Sequence, residues 1–378
     1  MIPRAGPMTK RLTHDGGNTL MQQASAVQRV IGLEEHAWTA ELRDALLKYG
    51  GDETVTVLSS QKDTDRRLRD VGAERLARMD AAGVDLQVLS ITSPGTQPLP
   101  PEEAVPLARD ANDFLADAIG RRPDRFAAFA TLPTPDPQAA AAELERCVTQ
   151  LHFVGALLFP RTGETFLDND RFRPVFEAAA SLEVPLYIHP ALPPQPVRDA
   201  CFSGFDDWTN LILSSGGWGW HAEAGIATLR LILAGTFDRH PRLQLILGHW
   251  GEMLVSFADR ADVLSSANRT LERRILDYIT ANLYVTAGGI LSHRMLMQAK
   301  DVLGPDRLMF GDDDPYGVSM GRFGADSRGR FGGEGGARQF VQAAPISAHD
   351  KDKFAHLNAE RLLGHRIGRT RADIVTHQ

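Results

Sequence analysis

Cysteine is nearly absent: the chain has two in 378 residues, Cys147 and Cys201, with no CxxC spacing. This excludes a disulfide framework and a thiolate metal knuckle, and the two read as reduced thiols in a cytoplasmic protein. A basic surplus is missing as well. Lys and Arg number 41 against 48 Asp and Glu, a net charge of −7, so no cationic surface points to nucleic acid or anionic lipid. No apolar run approaches the ~18–20 residues of a membrane span. Residues 1–27 are mixed polar with Gly and Pro and lack the apolar stretch of a secretory signal. They read as an N-terminal extension or arm, leaving 28–378 as a single domain. No GxGxxG or Walker-type loop follows any apolar run, which argues against a nucleotide-binding open sheet.

What is present is alternation. Short apolar runs occur at 28–36 (QRVIGLEEH), 86–92, 126–133, 154–159, 184–190 (VPLYIHP), 243–249, 283–288 and 307–313 (RLMFGDD). Between most of them lie stretches with helical spacing, at 73–82, 103–120, 138–150, 171–182 and 222–236, and a closing one at 349–364. Eight strand-like runs alternating with helices predict an α/β fold, a (β/α)8 TIM barrel. Three connections exceed what a barrel needs: 37–72, the aromatic and proline-rich 190–221, and 314–340 with its glycine-rich part at 321–337. All three leave the C-terminal ends of strands, where barrels build their sites, and are expected to be lids or mobile segments.

The polar residues at those ends converge. By strand alternation Glu34 and His36 share one face and Glu35 takes the other. The fifth run ends in His189, the sixth in His249 and the eighth in Asp312, Asp313 and Asp314. Taken singly, each is a solvated loop entrance, a capping histidine or a turn before Pro315. Together they offer a glutamate, two or three histidines and an aspartate around one mouth. That mixed nitrogen and oxygen set, with room for an open position, suits catalytic Zn²⁺ or Mn²⁺. A structural site would be closed and often cysteine-rich, which this one is not.

LEEH (33–36), PLYIHP (185–190), ILGHWGE (246–252) and DRLMFGDDDPY (306–316) resemble the signatures of the amidohydrolase superfamily. The branch they are most similar to contains γ-resorcylate, 5-carboxyvanillate and related aromatic-acid decarboxylases, and the resemblance runs from about 29 to 366. Hydrolytic relatives carry His-x-His at the first strand, where this chain has Glu34-x-His36. No lysine stands in the fourth run to bridge two metals.

The resemblance implies one divalent metal, Zn²⁺ or Mn²⁺, bound by Glu34, His36, His189 and Asp313. It also implies a cytoplasmic homo-oligomer, dimer or tetramer, acting in the breakdown of aromatic compounds. Its reaction would be the non-oxidative decarboxylation of an ortho-hydroxy aromatic acid, with Asp313 as proton donor to the ring. His249 would assist the proton, Glu252 would support it and Arg260 would hold the substrate carboxylate. A helix starting just after His249 would return Arg260 to nearly the same face, or across a subunit boundary. Arg75 is a further carboxylate-binding candidate, and Trp218, Trp220 and Phe159 are expected to line the substrate pocket. Two departures touch that pocket: Asp314 stands where an aromatic precedes the proline, and Phe159-Pro160-Arg161 stands where an asparagine follows the fourth strand. The alternative is a metal-dependent hydrolase of an amide, lactone or ester in the same superfamily.

Overall fold

The computed structural model describes residues 27–49, 51–316, 335–364 and 367. Residues 1–26 of the expected N-terminal arm and most of the glycine-rich stretch at 321–337 lie outside the described residues, while Val27, expected in the arm, is buried in the core. The eight apolar runs form eight strands: β1 (Ile31–Ala37), β2 (Leu86–Ile91), β3 (Phe126–Thr131), β4 (Gly155–Leu158), β5 (Leu186–Ile188), β6 (Leu245–Leu247), β7 (Leu283–Thr286) and β8 (Leu308–Met309). Neighbours in the chain are neighbours in the sheet and run parallel. The ring is brought together where Leu33 N donates to the Phe310 carbonyl, just past β8, at 3.1 Å. This is the expected (β/α)8 barrel.

Every strand is buried on both faces, which is why the runs read as continuous apolar stretches. Alternation still sorts the side chains into two packed layers. Ile31, Leu33, Val88, Phe129, Tyr187 and Ile246 belong to one cluster, which fills the barrel. Their strand neighbours Leu89, Ala128, Leu158, Ile188 and Leu247 belong to the other, under the helices.

Two of the long connections carry structure of their own. Residues 37–72 fold as helices Ala40–Tyr49, Glu53–Ser60 and Lys62–Arg69, and 190–221 contains helices Gln195–Cys201 and Asp207–Ser214. Short polar residues start them: Asp52 caps Thr54 N and Val55 N, and Asp206 caps Thr209 N. Among the described residues no helix is long and apolar enough to cross a membrane. Cys147 is buried, Cys201 is exposed, and neither is in a disulfide.

Barrel closure depends on a close backbone approach. A Cβ on Gly311 would sit 2.3 Å from the Leu33 carbonyl, a distance that forces β8 away from β1. Gly311→Ala is therefore expected to cost about 1–3 kcal/mol, the usual range for overpacking. Urea unfolding measures this, and an unchanged midpoint would contradict it.

Candidate active site at the barrel mouth

Strict alternation from Leu33, which points into the barrel, would send Glu34 outward, Glu35 inward and His36 outward. The structure avoids this with a bulge. The β1–β2 register shifts between Leu33 and Glu35, so that Leu33 pairs with Val88, Glu35 with Leu89 and His36 with Ser90. Glu34 is the extra residue, in the left-handed region at φ 79°. The shift turns both Glu34 and His36 into the mouth and sends Glu35 to the outer layer. The face-sharing inferred from the sequence is present, and the backbone irregularity decides that the shared face is the mouth.

Four side chains meet there. One ligand atom each of Glu34, His36, His189 and Asp313 lies within 4.8 Å of the other three. Glu34 Oε1 is 3.2 Å from His189 Nε2, and His36 Nε2 is 3.1 Å from Asp313 Oδ1. Glu34 Oε1 and His36 Nε2 are buried and have no hydrogen-bond partner. The far sides of the groups are tied back. Tyr187 and Thr286 hydroxyls donate to Glu34 Oε2, the latter at 3.0 Å. His189 Nδ1 donates to the Pro190 carbonyl at 2.8 Å, which leaves the Nε2 lone pair facing the cluster. His36 Nδ1 lies 3.3 Å from Ser90 Oγ. Gly248 makes room, since a Cβ there would be 2.7 Å from Glu34 Oε1.

The electrostatics fit a cation. Burial and the nearby His189 hold the His36 imidazole well below its ordinary pKa, which favours the neutral form that a cation would need. Burial and the Glu34 charge push Asp313 well above the usual carboxylate range. Burial also raises Glu34, but the charge of His249 and the adjacent imidazoles of His189 and His36 outweigh it, and Glu34 is held low. The two carboxylates thus oppose each other's ionisation in one pocket. A divalent cation would let both ionise. Donor set, orphaned atoms and charge all suit one such ion.

Beneath the cluster is a second layer the sequence reading did not resolve. Glu35 accepts from the backbone N–H of Asp312 at 2.9 Å and of Asp314 at 3.1 Å, and from the Gln87 amide at 3.1 Å. This holds the turn in which Asp313 takes φ 58°. Asp314 points away from the cluster and accepts from Arg78 at 3.0 and 3.1 Å, with Arg75 Nη1 at 3.3 Å. Arg75, expected as a carboxylate binder, is fully buried and donates to the His36 carbonyl and to Gln87. It secures β1 and is not open to a substrate.

No regular helix starts at His249. The chain turns through left-handed residues at His249, Trp250, Glu252 and Met253, then a 3-10 turn at Val255–Phe257, before a short helix at Ala258–Ala261. His249 Nδ1 lies 2.6 Å from Glu252 Oε1, and Glu252 is fully buried. Although burial opposes charge, Glu252 and Glu34 push the His249 imidazole up to about 10. Arg260, on the short helix, is exposed beside Phe257 and Val263, and the expected return to the His249 face does not occur within one chain.

The aromatic candidates separate as well. Phe159 is buried with its ring 5.8 Å from that of His189, and the Trp220 ring is 6.5 Å from the same imidazole. Trp218 is 53 % exposed and does not cover the cluster in this chain. A cleft of about 560 Å³ opens beyond Phe159, lined by Gln97, Arg161, Ala191 and Arg198. Arg161, one of the departures from the expected pattern, is held there by Glu223 and lies over the Phe166 ring. Tyr187 was legible as the inward neighbour of His189 two residues on. His221, whose Nδ1 lies 2.7 Å from Glu252 Oε2, had no signal beyond its tryptophan neighbour.

Fold and site together define a (β/α)8 barrel that gathers nitrogen and oxygen donors at its C-terminal mouth. The chain belongs to the amidohydrolase family, whose model matches residues 36–365. It is 35% identical over 350 residues to a γ-resorcylate decarboxylase of Rhizobium radiobacter, covering 89% of this chain and 98% of that protein. It resembles the crystal structure of 5-carboxyvanillate decarboxylase from Novosphingobium aromaticivorans complexed with manganese and 4-hydroxy-3-methoxy-5-nitrobenzoic acid. The TM-score is 0.79 at 31% identity, over 90% of this chain and 97% of that one. A dihydroxybenzoic acid decarboxylase from a Polaromonas species, with bound manganese and the inhibitor 2-nitroresorcinol, gives 0.73 at 31%, over 89% and 96%.

Two outcomes are expected from this geometry. His189→Ala should lower metal content well below one ion per chain by elemental analysis, and full occupancy would remove His189 from the ligand set. Asp314→Asn weakens a buried ion pair with two arginines and should destabilise the fold by about 3–5 kcal/mol in urea unfolding. An unshifted midpoint would remove Asp314 from the support of the site.

Proposed function

We propose that the protein is a metal-dependent, non-oxidative decarboxylase, a carboxy-lyase, acting on an ortho-hydroxy aromatic carboxylic acid of the dihydroxybenzoate type. The observation that carries this reading is the donor set Glu34, His36, His189 and Asp313, in a chain similar over most of its length to named decarboxylases. These four residues would hold one divalent ion, and manganese, the ion in two related structures, is favoured over zinc. Bound there, the ion supplies charge neutralisation for a phenolate and a carboxylate oxygen of the substrate.

The chain's own residues account for the rest. Asp313 alone of the four keeps a partly open carboxylate, 17% exposed, and faces the mouth where the ring must sit. It takes up a proton from solvent and delivers it to the ring carbon bearing the carboxylate. That carbon's bond to the carboxylate then breaks, its electron pair returns to the ring and CO₂ leaves, so one proton enters for each CO₂ lost. His249, backed by Glu252, sits beside Glu34 at 3.5 Å and tunes that proton. Phe159 and Trp220 flank the aromatic ring of the substrate. Arg260 holds the substrate carboxylate of a neighbouring copy in a homo-oligomer, and the exposed apolar surface of Ile226, Phe257 and Val263 around it supports that placement.

The test is a panel of ortho-hydroxybenzoates and simple lactones with native protein and Asp313→Asn. Native protein should release CO₂ from a member of the first group, and Asp313→Asn should abolish turnover while keeping part of the metal. Asp312→Asn should keep substantial activity. Hydrolysis of a lactone without CO₂ release would favour the hydrolase reading, and near-normal turnover in Asp313→Asn would displace the proton donor.

A further inference from the structure

Glu252 is fully buried, yet both of its oxygens accept from imidazoles: Oε1 from His249 Nδ1 at 2.6 Å and Oε2 from His221 Nδ1 at 2.7 Å. The two rings stand 4.6 Å apart, tilted by 64°. His221 lies in the first turn of the helix Gly219–Leu233, directly after the long connection that follows β5. On its other side, Trp220 Nε1 donates to His221 Nε2 at 3.1 Å. An indole N–H can only donate, so Nε2 must accept and Nδ1 must carry the proton given to Glu252. In the other tautomer Nε2 would turn to the Gly216 carbonyl, also 3.1 Å away, and Trp220 would lose its acceptor. The Trp220 ring in turn stands edge-on to His189 at 6.5 Å.

A continuous chain of contacts thus runs from His249 through Glu252, His221 and Trp220 back to His189. Each imidazole places Nδ1 on a different carboxylate oxygen at hydrogen-bond length. His221, His249 and Glu252 also bring ligand atoms within 4.8 Å of one another, but both Nδ1 atoms are already taken up by hydrogen bonds to Glu252.

We propose that His221 is a positioning residue for the reaction, sharing Glu252 with His249 and holding Trp220 against His189. The connection after β5 and the proton-handling pair then keep one relative arrangement. This rests on the decarboxylase reading for its kinetic consequence, while the hydrogen-bonded bridge stands on geometry alone.

The test compares native protein, His221→Phe and His221→Asn. Asparagine keeps a donor near the Nδ1 position, whereas phenylalanine keeps only the ring. Expected for His221→Phe is a kcat lower by about 10- to 100-fold with metal content still near one per chain. His221→Asn should recover most of the loss. Zinc-loaded native protein should show two downfield imidazole N–H resonances for the Glu252 bonds, and His221→Phe should lose one. The proposal is overturned by native kcat in His221→Phe, by no recovery in His221→Asn, by the absence of the second resonance, or by a second bound metal lost with His221. Absence of any turnover by native protein would sink the decarboxylase reading, and the resonances would still decide the bridge.

Discussion

The extra residue in β1 sets the direction of every polar side chain at the start of the mouth. A non-glycine residue at φ 79° costs about 1–3 kcal/mol, and the surrounding contacts must over-determine it. They do so from three strands. Phe310 and Asp314, at the end of β8, accept from the backbone on either side of the bulge, at 3.1 Å from Leu33 N and 2.7 Å from His36 N. Tyr187 of β5 and Thr286 of β7 hold the Glu34 carboxylate from below. His249, Glu252 and Asp313 share the same left-handed backbone, so the strain is gathered at the mouth, where it aims side chains.

Charge then divides along that backbone. Five carboxylates, Glu34, Glu35, Asp312, Asp313 and Asp314, crowd the junction of β1 and β8. On the outer side the crowding is offset within the chain: Asp314 meets Arg75 and Arg78, and Glu35, pushed well up by burial and by the neighbouring aspartates, accepts backbone N–H groups. On the mouth side, among the described residues, Glu34 and Asp313 are paired with imidazoles and with no arginine or lysine. The fold therefore satisfies one half of its acidic cluster and leaves the other half arranged for a divalent ion.

Much of this was legible in the sequence. The eight runs stand out because a parallel barrel buries both faces of each strand, and the strand-end histidines stand out against an apolar background. The metal-ligand candidates could be named for the same reason. What could not be read was backbone geometry. A bulge leaves no mark in the string LEEH, and the turn after His249 has the same letters a helix start would have. Arg260 was therefore expected to return to the pocket through a helix that does not form. Arg75 and Asp314 are far apart in sequence, and only the fold shows that they neutralise each other. His221 was hidden because its partner Glu252 comes thirty-one residues later.

The wall of the pocket distinguishes this chain within its architecture. Phe159 sits against His189, and Arg161 is held by Glu223 at the edge of the cleft, in place of the asparagine expected after β4. The Phe159 and Trp220 rings both stand edge-on to His189, and the cleft opens beyond Phe159. The central claim is that a cation bound by the mouth carboxylates and imidazoles permits protonation of the ring carbon and loss of CO₂. The most direct measurement is turnover of 2,6-dihydroxybenzoate in D₂O by manganese-loaded and chelator-treated protein, followed by mass spectrometry and NMR. The account predicts CO₂ and resorcinol carrying one deuterium at the carbon that bore the carboxylate, with turnover lost on chelation and regained with manganese. Decarboxylation undiminished by chelation would contradict it.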